Sequence, residues 1–361
     1  MMKFLKKPIS LLAISAVILG CNGFKDGKPV GDLAGESNGS ITAKNNPLGM
    51  VWISGGEFTM GTDDPDSYLY ERPAHRVRVD GFWMDVTEVT NTDFKKFVDA
   101  TGYITTAEKK PEWDELKKQT PPGTPKPDEA TLVPGSLVFS PPAYTISLDD
   151  YSQWWSWRNG TDWKHPEGPG SSIEGKDNFP VVHISYDDAV AYSKWVGKRI
   201  PTEAEWEFAS RGGREGQRFS WGNEFNPGGR FMANTFQGVF PSTNSGDDGF
   251  VGNAPVRSFP PNDYGLYDMI GNCWEWTSDF YNVHYYGELA KSGLAINPKG
   301  ATKSFDPNEP YAIKHVTRGG SFLCAENYCV NYRPSARQGS AYDSGMSHIG
   351  FRCVSTPDMV K

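Results

Sequence analysis

Turn residues punctuate this chain so densely that no long helix and no regular repeating α/β unit can be laid through it. Glycine (39) and proline (27) together make up 66 of 361 residues, well above the roughly 12% of an average protein. The periodic stretches that remain are short and closed at both ends. Asn91 to Ala100 places Phe94, Phe97 and Val98 on one helical face and stops at Gly102. Ser185 caps a second helix with Asp188 at the third position, and Gly197 ends it. Thr202 and Glu205 form a capping box for a third, which carries Trp206 and Ala209 and ends at Gly212-Gly213. Met50–Ile53 and His75–Asp80 read as strands, the second with clean alternation. Twelve tryptophans supply large apolar anchors for a loop-rich α+β core. The 104–180 stretch has proline clusters, Trp154-Trp155, Trp157 and Trp163, and little periodicity. It reads as a long ordered insertion able to wall a cleft, although core burial is the commoner fate of such rings.

The first residues read as an address. Met1–Lys7 is basic, and Ile9–Leu19 is an apolar run too short for a comfortable membrane span. Ile18-Leu-Gly-Cys21 resembles a lipobox, which makes 1–20 a lipoprotein signal and Cys21 the lipidated residue. Residues 21–46 are rich in Gly, Ser, Asp and Lys and read as a flexible tether. The expected location is an exported, periplasm-facing or surface lipoprotein. Asn22 after the cysteine leans to the outer membrane, and the lipid is the one expected membrane contact. The folded part spans 47–357. A formal net charge of −8 argues against nucleic acid as a partner.

The sharpest local feature is Arg318-Gly-Gly-Ser-Phe-Leu-Cys324-Ala-Glu-Asn-Tyr-Cys329. Cysteines five apart face opposite sides of a regular strand, so their sulfurs meet only if the chain turns between them; Asn327 suits such a bend. By spacing alone a structural disulfide ranks first, a redox dithiol second and a soft-metal site third. Two turns are oxygen-rich. Asp268 and Glu275 flank Gly271 and Cys273, and Asn234 precedes a second turn with Asp248 and Phe250. Each could hold Ca²⁺, but acidic turns like the first are usually just solvated, and the second could equally be an ordinary polar turn. The six histidines form no i,i+4 pair and no zinc-protease pattern.

Taken together, these residues resemble the formylglycine-generating enzyme family, the sulfatase-modifying factors. The likeness runs from about 47 to 354 through Gly55-Gly-Glu-Phe-Thr-Met-Gly61, Trp163-Lys-His-Pro-Glu-Gly-Pro169, Gly197-Lys-Arg-Ile-Pro-Thr-Glu-Ala-Glu-Trp-Glu207, Gly271-Asn-Cys-Trp-Glu-Trp276, Arg318-Gly-Gly-Ser321 and Gly350-Phe-Arg-Cys353. It implies a C-type-lectin-like α+β fold with little regular structure. It also implies copper-dependent, O₂-using oxidation of a cysteine in a Cys-x-Pro-x-Arg segment of an unfolded, exported sulfatase to Cα-formylglycine. On this resemblance Cys324 and Cys329 hold Cu(I), and the substrate thiolate joins them. Ser321 and Trp274 line the oxygen pocket, and Arg333, Arg337 and His348 lie towards the substrate. Asn234, Thr235, Asp248 and Phe250 hold one structural Ca²⁺; Asp268, Gly271, Cys273 and Glu275 hold a second.

The chain departs from vertebrate members at Ser193, Ala209 and Pro334, where cysteines of two disulfides would stand. Cys353 is therefore expected to be free and buried, with pairing to Cys273 as a weaker alternative. His348 replaces a more usual Asn beside the substrate groove, which bears on peptide specificity. A noncatalytic envelope lipoprotein of a gliding or secretion complex is the competing reading, since such proteins share the fold and the anchor. An iron-dependent C–S bond-forming enzyme fits less well, because the histidines are scattered.

Overall fold

The structure is a computed structural model that describes residues 47–360. The signal, the tether and Cys21 lie outside the described residues. No described helix is long and apolar enough to cross a membrane.

The three capped helices form as the sequence dictates. Asn91–Thr101 is capped by the Thr90 side chain and closed by Gly102, whose φ of 67° needs no Cβ penalty. Tyr186–Trp195 starts at the Ser185–Asp188 capping box, and Glu203–Arg211 at the Thr202–Glu205 box. Every residue of the last helix is buried, so it runs through the protein's middle.

Short sheets surround these helices. One joins both ends of the folded region: Met50–Ile53 and Val354–Ser355 both pair antiparallel with Phe82–Asp85. A second has His75–Val79 between Gly56–Met60 and Leu294–Ile296. Its central strand alternates buried and exposed residues as read from the sequence. A third sets Arg337–Ala341, Lys314–Arg318, Trp274–Phe280 and Ile349–Gly350 side by side, and the chain leaving Lys314–Arg318 carries the cysteine pair.

The 104–180 segment is more ordered than its pattern suggests. Gly135–Phe139 and Trp155–Asn159 form an antiparallel hairpin. Its base packs Trp154 into an aromatic cluster with Phe236, Phe240, Phe322 and Leu323. Trp154 and Trp163 are core anchors, whereas Trp157 is exposed. The insertion therefore rests against the turn that holds Cys324.

Candidate active site

The cysteine loop is built by two glycines. Leaving Arg318, the backbone takes φ of 94° at Gly319 and 74° at Gly320, a region costly for other residues. A Cβ at Gly320 would lie 2.9 Å from the Asn331 carbonyl oxygen and 3.2 Å from Cys324 Sγ. Two passes of the loop thus touch across this position. The Cys324 N–H then donates to the Ser321 carbonyl (2.9 Å), and the Cys329 N–H donates to the Ala325 carbonyl (2.9 Å). These turns swing the second cysteine back onto the first, as the five-residue spacing requires.

Cys324 Sγ and Cys329 Sγ lie 3.0 Å apart, far outside the roughly 2.05 Å of a disulfide. Both are free thiols, Cys324 buried and Cys329 half-buried. The structural disulfide favoured by spacing alone is therefore absent. The turn places the sulfurs in contact without joining them. N–H donors surround both sulfurs: Ser321 N lies 3.4 Å from Cys324 Sγ, Asn331 Nδ2 lies 3.1 Å from Cys329 Sγ, and the Asn331 backbone N–H serves both. The pair is polarised. The hydrogen bond from Cys324, aided by the amides of Asn331 and by Arg333, holds the Cys329 thiol below the usual cysteine range. Burial pushes the Cys324 thiol well above it. Two adjacent sulfurs, one deep and one at the rim, form a soft donor set suited to a monovalent copper ion.

The surroundings are apolar and aromatic. Trp274 and Cys324 share one buried cluster, against which Cys329 packs. Ser321 is fully buried, and its Oγ accepts from Leu323 N at 3.2 Å. Tyr328 stacks on Phe240 at 4.5 Å and meets Trp154 edge-on at 5.6 Å. The half-buried Tyr68 hydroxyl is pushed up to about 12, mainly by burial and then by the charge of the cysteine pair. Tyr68 and Asn331 carried no recognisable signal in the sequence, and Tyr328 stood out only as a residue between the two cysteines.

Two expectations are corrected here. Arg333 does not present its guanidinium to a substrate, because Glu71 takes it in a fork at 2.8 and 2.7 Å. Arg337 is completely buried, with Nε and Nη2 on the Glu203 carboxylate at 2.6 and 2.9 Å. Both are structural cations whose partners lie more than a hundred residues away in sequence. His348 is also buried, tilted against the half-buried Trp155 ring at 4.8 Å, with Nδ1 unpartnered. Burial pushes its imidazole down to about 3, so it is neutral.

Comparison with known proteins fixes the relationship. The family profile described as "Sulfatase-modifying factor enzyme 1-like domain" matches residues 38–357. The chain belongs to the sulfatase-modifying factor family. Among family relatives, it is 45% identical to the formylglycine-generating enzyme of Mus musculus, covering 87% of this chain and 77% of that protein. It is 44% identical to the formylglycine-generating enzyme of Mycobacterium tuberculosis, covering 85% and 98%. It is also 38% identical to a Bos taurus protein named "Inactive C-alpha-formylglycine-generating enzyme 2", with 85% and 88% covered. In fold it is similar to the solved structure of PvdO from Pseudomonas aeruginosa, with a TM-score of 0.52, 24% identity and 85% and 93% of the chains covered. The α+β architecture with short sheets and capped helices is the sulfatase-modifying factor fold.

The two oxygen-rich turns of this family member differ. In the first, Asn234 Oδ1 is buried without a protein partner. The Asp248 carboxylate beside it accepts the N–H groups of Thr235 and Phe250 at 2.9 and 3.1 Å. An orphaned carbonyl-type oxygen and a carboxylate with lone pairs to spare fit a hard cation. In the second set the carboxylates already have protein partners. Both Glu275 oxygens are taken by the Arg352 guanidinium at 2.7 Å, with Trp206 Nε1 on one of them at 2.8 Å. Asp268 Oδ2 accepts from Arg257 N at 2.7 Å. Gly271 faces the Asn234 carbonyl oxygen, 2.3 Å from where a Cβ would stand. Cys273 and Cys353 are both free and buried, so the alternative bridge between them is absent.

Proposed function

We propose that this chain oxidises the cysteine of a Cys-x-Pro-x-Arg segment in an unfolded, exported sulfatase to Cα-formylglycine, using O₂ and a Cu(I) ion held by Cys324 and Cys329. The observation that carries this reading is the pair of free thiols held in contact, in a chain 44–45% identical to proteins named formylglycine-generating enzyme. Bound copper supplies the one-electron chemistry with O₂ that protein side chains lack. Converting a cysteine thiol and O₂ to an aldehyde, hydrogen sulfide and water consumes two electrons and two protons. A small-molecule thiol reductant supplies them.

The chain's own residues prepare the site. Gly319 and Gly320 let the loop close on itself, which fixes the two sulfurs without strain from a side chain. Cys324 lies deep and Cys329 half-buried at the rim, so an incoming substrate thiol approaches from the Cys329 side. Trp274 and Ser321 close the inner wall and keep bulk water out. Burial pushes the Tyr68 and Tyr328 phenols up. They remain neutral donors beside the pair, able to steady a substrate backbone.

A structural Ca²⁺ at Asn234, Thr235, Asp248 and Phe250 belongs to the same reading, supported by the orphaned Asn234 oxygen. A second Ca²⁺ at Asp268, Gly271, Cys273 and Glu275 is not part of it, because Glu275 is already spent on Arg352. Lipid on Cys21 would hold the domain at the envelope, outer membrane favoured, where exported sulfatases pass. A scaffold lipoprotein that kept only the fold would have no use for a soft-donor pair, so the noncatalytic alternative is set aside. The test is co-expression with an exported sulfatase carrying the motif, followed by a hydrazide probe for aldehyde. Labelling that requires Cys324 and Cys329 supports the proposal, and labelling unaffected by either Cys→Ser change overturns it.

A further inference from the structure

Asn331 stands two residues beyond the cysteine pair and is buried. Its amide makes one hydrogen bond, from Nδ2 to Cys329 Sγ at 3.1 Å, while Oδ1 is buried with no partner. A buried amide oxygen left unpaired is costly, so packing alone does not account for an asparagine here. What the amide gains is the contact with sulfur.

Both flanks of Asn331 are clamped. Its carbonyl abuts Gly320. Tyr332 stacks on Phe225 at 4.5 Å. Arg333 Nε donates to the Val330 carbonyl at 2.9 Å, and its guanidinium is forked on Glu71. The donor is therefore presented from a fixed backbone, as groups that orient metal ligands are. Cys324 receives its N–H from the Ser321 backbone, which no substitution of that side chain removes. Cys329 receives the Asn331 backbone N–H, and the Asn331 side-chain amide adds a second donor that a substitution can remove.

We infer that Asn331 is a positioning residue for the thiolate pair: its amide N–H aims Cys329 Sγ at Cys324 and supports the sulfur as a ligand for a soft monovalent cation. The inference rests on the copper reading above. An N–H bonded to a thiolate sulfur disperses its charge and fixes its rotamer, so the two-sulfur geometry is preformed instead of being ordered by the metal.

The test is anaerobic competition for Cu(I) between the folded protein and bicinchoninate, a chromophoric Cu(I) chelator. It compares the wild type with Asn331→Leu, Asn331→Asp and Asn331→Gln, each checked for folding by circular dichroism. Leu and Asp match the side chain's size and lack its N–H, while the backbone N–H of residue 331 is kept. They should weaken Cu(I) binding about 10- to 100-fold, while Gln, which keeps an amide donor, should recover part of the loss. Should the Leu variant fail to fold, the Asp variant carries the comparison. Wild-type binding retained within about threefold by Leu or Asp, or an equal loss in Gln and Leu, would overturn the role of Asn331 alone. Absence of Cu(I) binding in the wild type, or its persistence in Cys329→Ser, would overturn the copper reading and this inference with it.

Discussion

Arg333 and Glu71, 262 positions apart in the chain, meet as a buried fork with N–O distances of 2.8 and 2.7 Å. The pair ties the turn carrying Tyr68 to the segment that follows Cys329, since the Tyr68 N–H also donates to Glu71 Oε1 at 3.2 Å. A single ion pair therefore fixes two walls of the site at once.

Breaking that pair leaves a buried carboxylate without its cation. Arg333→Ala should destabilise the fold by about 3–5 kcal/mol, the usual cost of removing one partner of a buried pair. Arg333→Lys, which cannot fork, should fall between it and the wild type. Chemical denaturation of the three proteins measures this. A loss under about 1 kcal/mol for Arg333→Ala would place the arginine back among candidate substrate contacts.

The cysteine pair should behave in the opposite way. Cys324→Ser and Cys329→Ser swap a sulfur for a smaller oxygen at sites that carry no disulfide. Each should cost little more than about 1–2 kcal/mol in stability while abolishing Cu(I) binding. Calorimetric melts together with Cu(I) titration separate the two effects. Retention of tight Cu(I) binding by either variant would refute the assignment.

Calcium should act on stability and leave the sulfur chemistry alone. If Ca²⁺ occupies the Asn234 turn, chelation should lower the melting temperature, and millimolar Ca²⁺ should restore it by mass action. Asn234→Ala should abolish that response, while Glu275→Gln should destabilise the protein equally with and without calcium, because Glu275 serves Arg352. An unchanged melt on chelation would reject the site.

Asp279 gives a pH signature. Burial, and then the charge of Glu203, push its carboxyl up to about 7. In the unfolded chain it ionises near 4. Between those values the folded state holds a proton that the unfolded state has released, so its contribution to stability falls as pH rises from about 4 to about 7. Asp279→Asn removes the ionisation and can still accept from the Glu203 N–H. The melting-temperature difference between Asp279→Asn and wild type should therefore be more favourable to Asn at pH 8 than at pH 5. An identical difference at both values would contradict the shift.

The parts of this structure governed by local rules were legible in the sequence. The Ser185–Asp188 and Thr202–Glu205 boxes and the Gly102 stop each depend on residues a few positions apart, and they form where expected. The Cys324–Cys329 turn was legible for the same reason. Non-local pairings were not. The Gly135–Phe139 and Trp155–Asn159 hairpin spans a long connection, and its second strand has no alternating burial. The family resemblance put Arg333 and Arg337 towards the substrate, and nothing nearby in sequence announces their partners Glu71 and Glu203. The Glu275 carboxylate had the same ambiguity, since its competitor Arg352 lies 77 residues on.

The central claim is best tested with the purified chain from Asn22 onward, loaded with Cu(I), given a thiol reductant and air, and incubated with a short Cys-x-Pro-x-Arg peptide. Mass spectrometry should show thiol converted to aldehyde, trapped by a hydrazide and absent without copper. A folded protein confirmed to hold copper that leaves the peptide thiol intact would contradict the account.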